Sequence, residues 1–151
     1  MVSPMPAEHP LETLIAAYDD AWNRHDIPAL LAMHTEDSVF QNHATGEQAQ
    51  GKPAIARMVE RVFQMFPDVH FGFRKIYVRD DLIVQEWTAS ATHQRPILGR
   101  GGELLQPTGK RLSWDGVDIL PLRGGLVLRK DTYMDRDSIL RQTRPPPRPN
   151  E

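Results

Sequence analysis

The stretch Leu82–His93, Leu-Ile-Val-Gln-Glu-Trp-Thr-Ala-Ser-Ala-Thr-His, constrains the fold of this chain more than any other. Side chains on a strand alternate between faces. One face therefore carries Ile83, Gln85, Trp87, Ala89, Ala91 and His93, and the other Leu82, Val84, Glu86, Thr88, Ser90 and Thr92. Small alanines between a tryptophan and a histidine leave a hollow with an aromatic wall and a polar end, as a small-molecule site requires. The same alanines would also let a helix pack closely on the strand.

The strand needs partners, and the remaining chain supplies them. Pro10 suits an early helical position, and Leu11, Leu14, Ile15, Tyr18 and Trp22 recur at three- and four-residue steps, which predicts a helix to about Arg24. Asp26 is placed to cap a short second helix with Pro28 in its first turn. Ser38–Asn42 reads as a strand with Phe40 and Asn42 on one face, followed by a polar loop to Gly51. His34 and His43 are expected to be solvated or locally hydrogen-bonded. Ile55, Met58, Val59, Val62, Phe63 and Phe66 form the stripe of a third helix that Pro67 stops.

Four strands follow, at 69–78, 82–93, 111–121 and 126–133, with turns at Asp80-Asp81 and Gly124-Gly125. Between them, residues 94–110 form a long loop where gating could reside. Residues 135–142 read as a terminal helix with Asp135 at its N-cap position. Helices followed by an antiparallel meander indicate an α+β domain with its helices on one face of a curved sheet. The expected organisation is a flexible segment at 1–9, one domain at 10–143 and a disordered, proline-rich tail at 144–151.

Composition narrows the function. A net charge of -2 and a pI near 6.3, with scattered basic residues, speak against nucleic acid as a partner. The absence of cysteine excludes disulfides, thiolate nucleophiles and thiolate metal sites. Neither a secretory leader nor an apolar run near the ~20 residues of a membrane span is visible, so a soluble, cytoplasmic protein without a membrane partner is expected. Histidines and carboxylates are too dispersed for a zinc signature, and no glycine loop opens a helix after a strand. No cofactor is expected.

A buried carboxylate beside an imidazole can move a proton on a carbon acid, because burial raises a carboxylate's pKa toward working pH. Asp118 shares a strand face with Trp114 and Gly116. That face is taken as inward because the opposite one bears Asp115, although Val117 and Ile119 on the opposite face argue the other way. Asp131 shares a face with Tyr133, and exposure beside Arg129 is the plainer reading of it. His93 ends its strand, where it can serve catalysis or simply bond to the next loop.

The layout, together with Ala-Thr-His (91–93), Pro-Thr-Gly-Lys (107–110), Gly-Val-Asp-Ile-Leu (116–120), Gly-Gly-Leu-Val (124–127) and Tyr-Met-Asp followed by Ile-Leu-Arg-Gln (133–142), resembles the SnoaL-like branch of the nuclear transport factor 2 superfamily. That superfamily includes ketosteroid isomerases and limonene epoxide hydrolases. The resemblance implies an NTF2-like, cystatin-like cone of mixed or antiparallel sheet that three N-terminal helices close over a pocket. It also implies a homodimer formed through the sheet, consistent with apolar Leu82, Val84 and Val127 on the face expected to be exposed. The epoxide hydrolase relay falls near Trp87, Ala89 and Thr132, none of which fits, so that reaction is disfavoured. The ketosteroid isomerase base falls at Asn42, while Tyr18 matches the tyrosine that stabilises the enolate. The cyclase pattern puts Asp118 where that group often has histidine or aspartate, Asp131 and Asp135 near the last strand, and His93 in a Thr-His pair.

The expectation is a cofactor-independent enzyme that cyclises or isomerises a small apolar carbonyl compound by proton transfer. Asp118 or Asp131 would shuttle the proton, with His93 and Tyr18 as further catalytic residues and Asn42, Trp22, Trp87, Trp114 and Phe40 holding the substrate. A ligand-binding protein without catalysis and a different lyase or hydrolase reaction in the same cavity are the alternatives.

Overall fold

The computed structural model describes residues 9–144 and residue 149, so most of the two terminal segments read as flexible lies outside the described residues. Helix α1 (Pro10–Asn23) starts behind His9, whose ring accepts the Leu11 N–H, and buries Leu11, Ile15, Tyr18 and Trp22 as the spacing predicts. Asp26 caps α2 (Ile27–Ala32) by accepting the Ala29 N–H. Strand β1 (His34–Asn42) begins four residues earlier than predicted, and the polar loop after it contains a short strand, β2 (Glu47–Gln50). The glutamines and glutamate of β2 carry little strand signal; pairing with β1 at the sheet edge decides its conformation.

Helix α3 (Lys52–Met65) precedes β3 (His70–Arg79), β4 (Leu82–Thr92), β7 (Arg111–Arg123) and β8 (Leu126–Met134), and α4 (Arg136–Thr143) ends the domain. Asp135 caps α4 by accepting the Ser138 N–H. The 94–110 segment contains a small ribbon, β5 (Ile97–Leu98) with β6 (Leu104–Leu105). The main sheet runs β2-β1-β8-β7-β4-β3, with β1 parallel to β8 and every other pair antiparallel. Gly124 and Gly125, both at positive φ, make the two-residue β7–β8 turn that an L side chain would strain. This is the expected α+β fold.

The inner face of the sheet meets the helices in two apolar clusters. One gathers Ile15, Trp22, Leu30, Ile55, Val59, Ile83 and Leu120. The other places Ala89 and Ala91 with Leu112, Trp114, Ile139 and Leu140. The alanines of β4 are thus fully buried in this second cluster and do not line a hollow. Val127, expected on the exposed face, is instead 1% exposed within the first cluster, whereas Leu82 is 40% exposed. An extra residue in β8 causes this: its pairing with β7 shifts between Ile119 and Leu122, and the inward positions change from Val127 to Lys130 and Thr132. No helix among the described residues is long and apolar enough to cross a membrane.

Candidate active site

Register across the sheet assembles a polar rung from four strands. Asn42 on β1 lies opposite Thr132 on β8, Thr132 opposite Asp118 on β7, and Asp118 opposite Gln85 on β4. Lys130, two residues before Thr132 on the same face, lies opposite Phe40. These side chains form the polar floor of a cavity of about 330 Å³ between the sheet and α3. Its walls are Trp22, Phe40, Met58, Val62, Met65, Phe66, Phe71, Phe73, Trp87, Trp114 and Met134, and Asn42, Thr45, Glu47 and Arg61 also line it. Size and composition suit a small, flat, apolar molecule that presents a polar group to the floor.

The aromatic walls interlock. Trp22 meets Phe40, Phe63 and Phe71 edge-on, Phe71 meets Trp87 in the same way, and Phe66 tilts against Trp114 with ring centroids 5.0 Å apart. Trp87 can lie flat along the sheet only because its cross-strand partner is Gly116. A Cβ there would stand 2.2 Å from the indole ring. The glycine thus widens the cavity by letting a large side chain fold down onto the strand.

Asp118 is 3% exposed and accepts from Lys130 Nζ at 2.7 Å, from Thr132 Oγ1 at 2.7 Å and weakly from Gln85 Nε2 at 3.5 Å. The Lys130 ammonium, itself 5% exposed, lies 5.1 Å from the Trp22 ring centroid and 5.2 Å from that of Phe40. Cation–π attraction and the carboxylate together compensate its loss of water. Gln85 Nε2 also donates to Asp19 Oδ1 at 3.0 Å. Burial pushes the Asp19 carboxyl up to about 7, reinforced by Asp118 and opposed by the Gln85 hydrogen bond and Lys130. Gln85 Oε1 and Trp87 Nε1, both buried, have no partner among the described residues.

Of the residues singled out from sequence, Asp118, Asn42, Trp22, Trp87, Trp114 and Phe40 line the cavity. Asn42 sits among its polar lining, where its amide oxygen accepts the Ala44 N–H and its nitrogen donates weakly to Met134 Sδ.

Three others do not line it. Asp131 points to the opposite face of the sheet, where Arg129 and His43 both bond to its carboxylate at 2.8 Å and hold it below the usual carboxylate range. His93 is fully buried away from the cavity, with Nδ1 at 2.9 Å from Thr108 Oγ1 and accepting the Thr108 N–H. It latches the 94–110 segment, none of which reaches the cavity.

Tyr18 is also fully buried, with its hydroxyl 2.9 Å from His34 Nε2; His34 Nδ1 meets Ser38 Oγ at 3.2 Å. Burial drives the Tyr18 pKa well above its usual value and lowers that of His34 to about 4, so both are neutral at pH 7. His34, expected to be solvated or locally hydrogen-bonded, is buried rather than solvated, and bonds locally to Ser38 as well as to Tyr18.

Lys130, Thr132 and Asp19 were not among the sequence candidates. Asp19 carried a visible signal, since an acid four residues after Ile15 and three before Trp22 sits on the apolar stripe of α1. Lys130 carried none, because only the extra residue in β8 turns it inward. Among the described residues no group of three or more His, Asp or Glu could hold a metal ion.

A curved, mostly antiparallel sheet with helices over an aromatic cavity and a buried polar floor defines the class as the ketosteroid isomerase-like, NTF2-like fold. The chain belongs to the SnoaL-like polyketide cyclase family, whose model matches residues 12–143. Three solved structures illustrate the fold at low identity. A candidate SnoaL-like polyketide cyclase from Jannaschia sp. CCS1 is 19% identical, with 97% of this chain and 100% of that one covered and a TM-score of 0.78. IdmH from Streptomyces antibioticus, a candidate polyketide cyclase, is 22% identical over 89% and 98% of the two chains, with a TM-score of 0.74. A hypothetical protein with a ketosteroid isomerase-like fold from Catenulispora acidiphila DSM 44928, solved with trimethylamine, is 20% identical over 86% and 91%, with a TM-score of 0.71. No curated protein matches the chain.

Proposed function

We propose that this protein is a cofactor-independent enzyme that cyclises or isomerises a small apolar carbonyl compound through an enolate. One observation carries the reading: the buried Asp118–Lys130 pair at the floor of an otherwise apolar cavity, with an N···O distance of 2.7 Å. Such a pair offers a base for a carbon-bound proton and, beside it, a cation for the oxygen that gains charge.

The substrate carbonyl oxygen approaches Lys130 Nζ and the adjacent carbon faces Asp118. The carbon-bound proton passes to the Asp118 carboxylate, and its electron pair becomes the enolate π bond as charge moves to the oxygen beside Lys130. Thr132, donating to the other carboxylate oxygen, fixes the direction of the accepting lone pairs.

In isomerisation the proton returns from Asp118 to another carbon of the enolate system. In cyclisation the enolate carbon bonds to a second carbonyl carbon of the same molecule, and the oxygen of that carbonyl takes the proton from Asp118. Either path restores the carboxylate.

The test is carbon-bound deuterium exchange in heavy water with a panel of ketones, β-keto esters and polyketide-like carbonyl compounds, followed by mass spectrometry. Exchange well above the uncatalysed rate, lost in Asp118→Asn, is the expected result. Compounds that bind without exchanging, or exchange that survives Asp118→Asn, would replace this reading with ligand binding or with chemistry that forms no enolate.

A further inference from the structure

Behind the cavity wall lies a second carboxyl group for which the reaction above has no use. Asp19 is on α1, is 7% exposed and does not line the cavity. Its contact with the floor is the Gln85 amide, whose nitrogen carries two N–H bonds. One is aimed at Asp19 Oδ1 at 3.0 Å and the other at Asp118 Oδ2 at 3.5 Å. Two buried carboxyl groups therefore share one amide, and the Lys130 ammonium that pairs with Asp118 also attracts Asp19 from farther away.

We propose that Asp19 is a positioning residue of the site, acting on Asp118 through the Gln85 amide that both carboxyls share. The inference rests on the proton-transfer reading of the floor.

The physical argument is a count of charge. With Asp19 protonated, Asp118 and Lys130 balance and the floor is neutral. With Asp19 ionised, two buried negative charges on either side of the Gln85 amide stand against one positive charge, away from water, where like charges repel strongly. Enolisation removes negative charge from Asp118 and places it on the substrate oxygen. An ionised Asp19 on the far side of Gln85 repels the charge on Asp118 and so favours the step in which that carboxylate takes up the proton.

Around Asp19 the charged and titratable groups are Asp118 on β7, Lys130 on β8 and the adjacent Tyr18. Tyr18 is bonded to His34 and neutral throughout the relevant range. Asp19 itself, pushed up to about 7 by burial, changes its charge near neutral pH. Gln85 also senses the change, because its nitrogen is held by a charged acceptor in one state and a neutral one in the other.

Two variants separate charge from shape. Asp19→Asn keeps an oxygen for the Gln85 N–H but cannot ionise, whereas Asp19→Leu removes both. The ligand-free protein is labelled with 13C at the aspartate carboxyl carbons, and the Asp118 resonance, assigned by its absence from Asp118→Asn, is followed from pH 5 to 9. The expected result is a step in the Asp118 signal as Asp19 titrates near pH 7, with the step absent from Asp19→Asn.

The exchange rate is then followed over the same range. It should rise by about tenfold as Asp19 ionises in the parent and change less than about twofold in Asp19→Asn. Asp19→Leu, whose Gln85 has lost its partner, should be slower than Asp19→Asn at every pH. An Asp118 signal identical in the parent and Asp19→Asn across the whole range would overturn the proposal. Because that titration needs no substrate, failure to find any exchanging compound would count against the enolate reading while leaving the Asp19 coupling to be decided by the resonance.

Discussion

Lys130 Nζ lies 2.7 Å from Asp118 Oδ2 with both side chains closed off from solvent. Neither charge has another strong counter-charge at that distance. Removing one partner strands the other in an apolar cavity. Lys130→Met should lower stability by about 3–5 kcal/mol in urea unfolding and reduce exchange by at least about 10²-fold where the fold persists. Lys130→Met combined with Asp118→Leu should recover much of the lost stability and none of the activity. A single variant as stable as the parent would show that the pair is not buried in solution.

Gly116 lets the Trp87 indole lie along β7, and an added methyl group would overlap the ring. Gly116→Ala should turn Trp87 toward the cavity, costing about 1–3 kcal/mol of stability. The near-ultraviolet circular dichroism of Trp87 should change and the affinity for flat ligands should fall, with Asp118 chemistry retained on the smallest carbonyl compounds. Unaltered affinity for large and small ligands would mean that the indole does not set the cavity's width.

Asp19 and His34 predict opposite dependences of stability on pH. Asp19 keeps its proton to about 7 in the folded protein against an ordinary value of 3.8, so its contribution is lost as pH rises through that interval. His34 resists protonation down to about 4 against an ordinary 6.5, so its contribution is lost as pH falls through that interval. From about pH 4 to 6.5 the two offset one another. Asp19→Asn should uncover a stability that falls toward acid by up to about 1.4 kcal/mol per pH unit, and His34→Gln a slope of the opposite sign. Denaturant midpoints at half-unit pH steps measure both; slopes parallel to the parent's in both variants would refute the assignment.

Asp131 and Asp118 should respond differently to the same substitution. The Asp131 pKa is depressed chiefly by the Arg129 hydrogen bond, so its contribution is present above the ordinary carboxylate value and is lost as pH falls through the lower, folded one. Asp131→Asn should cost no more than about 1 kcal/mol at pH 7, with the difference from the parent closing in acid. Exchange should proceed at the parent's rate. A loss of exchange comparable to that of Asp118→Asn would move the chemistry to the outer face of the sheet.

Much of this arrangement was legible in the chain. The period-two pattern of β4 and β7 puts Gln85, Trp87, Trp114 and Asp118 on the inner faces, and the α1 stripe brings Trp22 over them. Alternation failed in β8, where one extra residue reverses the parity between Val127 and Lys130. That reversal hid the lysine and misplaced Val127. The pairing of β1 with β8 was equally hidden, since the parallel contact joins segments far apart in sequence and no local turn announces it. The β4 alanines show a different limit: a small residue signals space, while only the tertiary structure decides whether a ligand or the last helix fills it.

The polar rung has a mechanical consequence. Asn42, Thr132, Asp118 and Gln85 stand on neighbouring strands, and inter-strand spacing in a sheet is held at about 4.8 Å by backbone hydrogen bonds. The reacting groups cannot drift apart unless the ladder itself opens. The opposite wall is helical, with Met58, Val62 and Met65 of α3 and Trp22 of α1, and α3 is joined to β2 by the Arg61–Glu47 ion pair. Exchanging residues on α3 can retune which molecules enter while the backbone ladder keeps the floor in register, whereas any exchange on the rung alters the chemistry and the lining together.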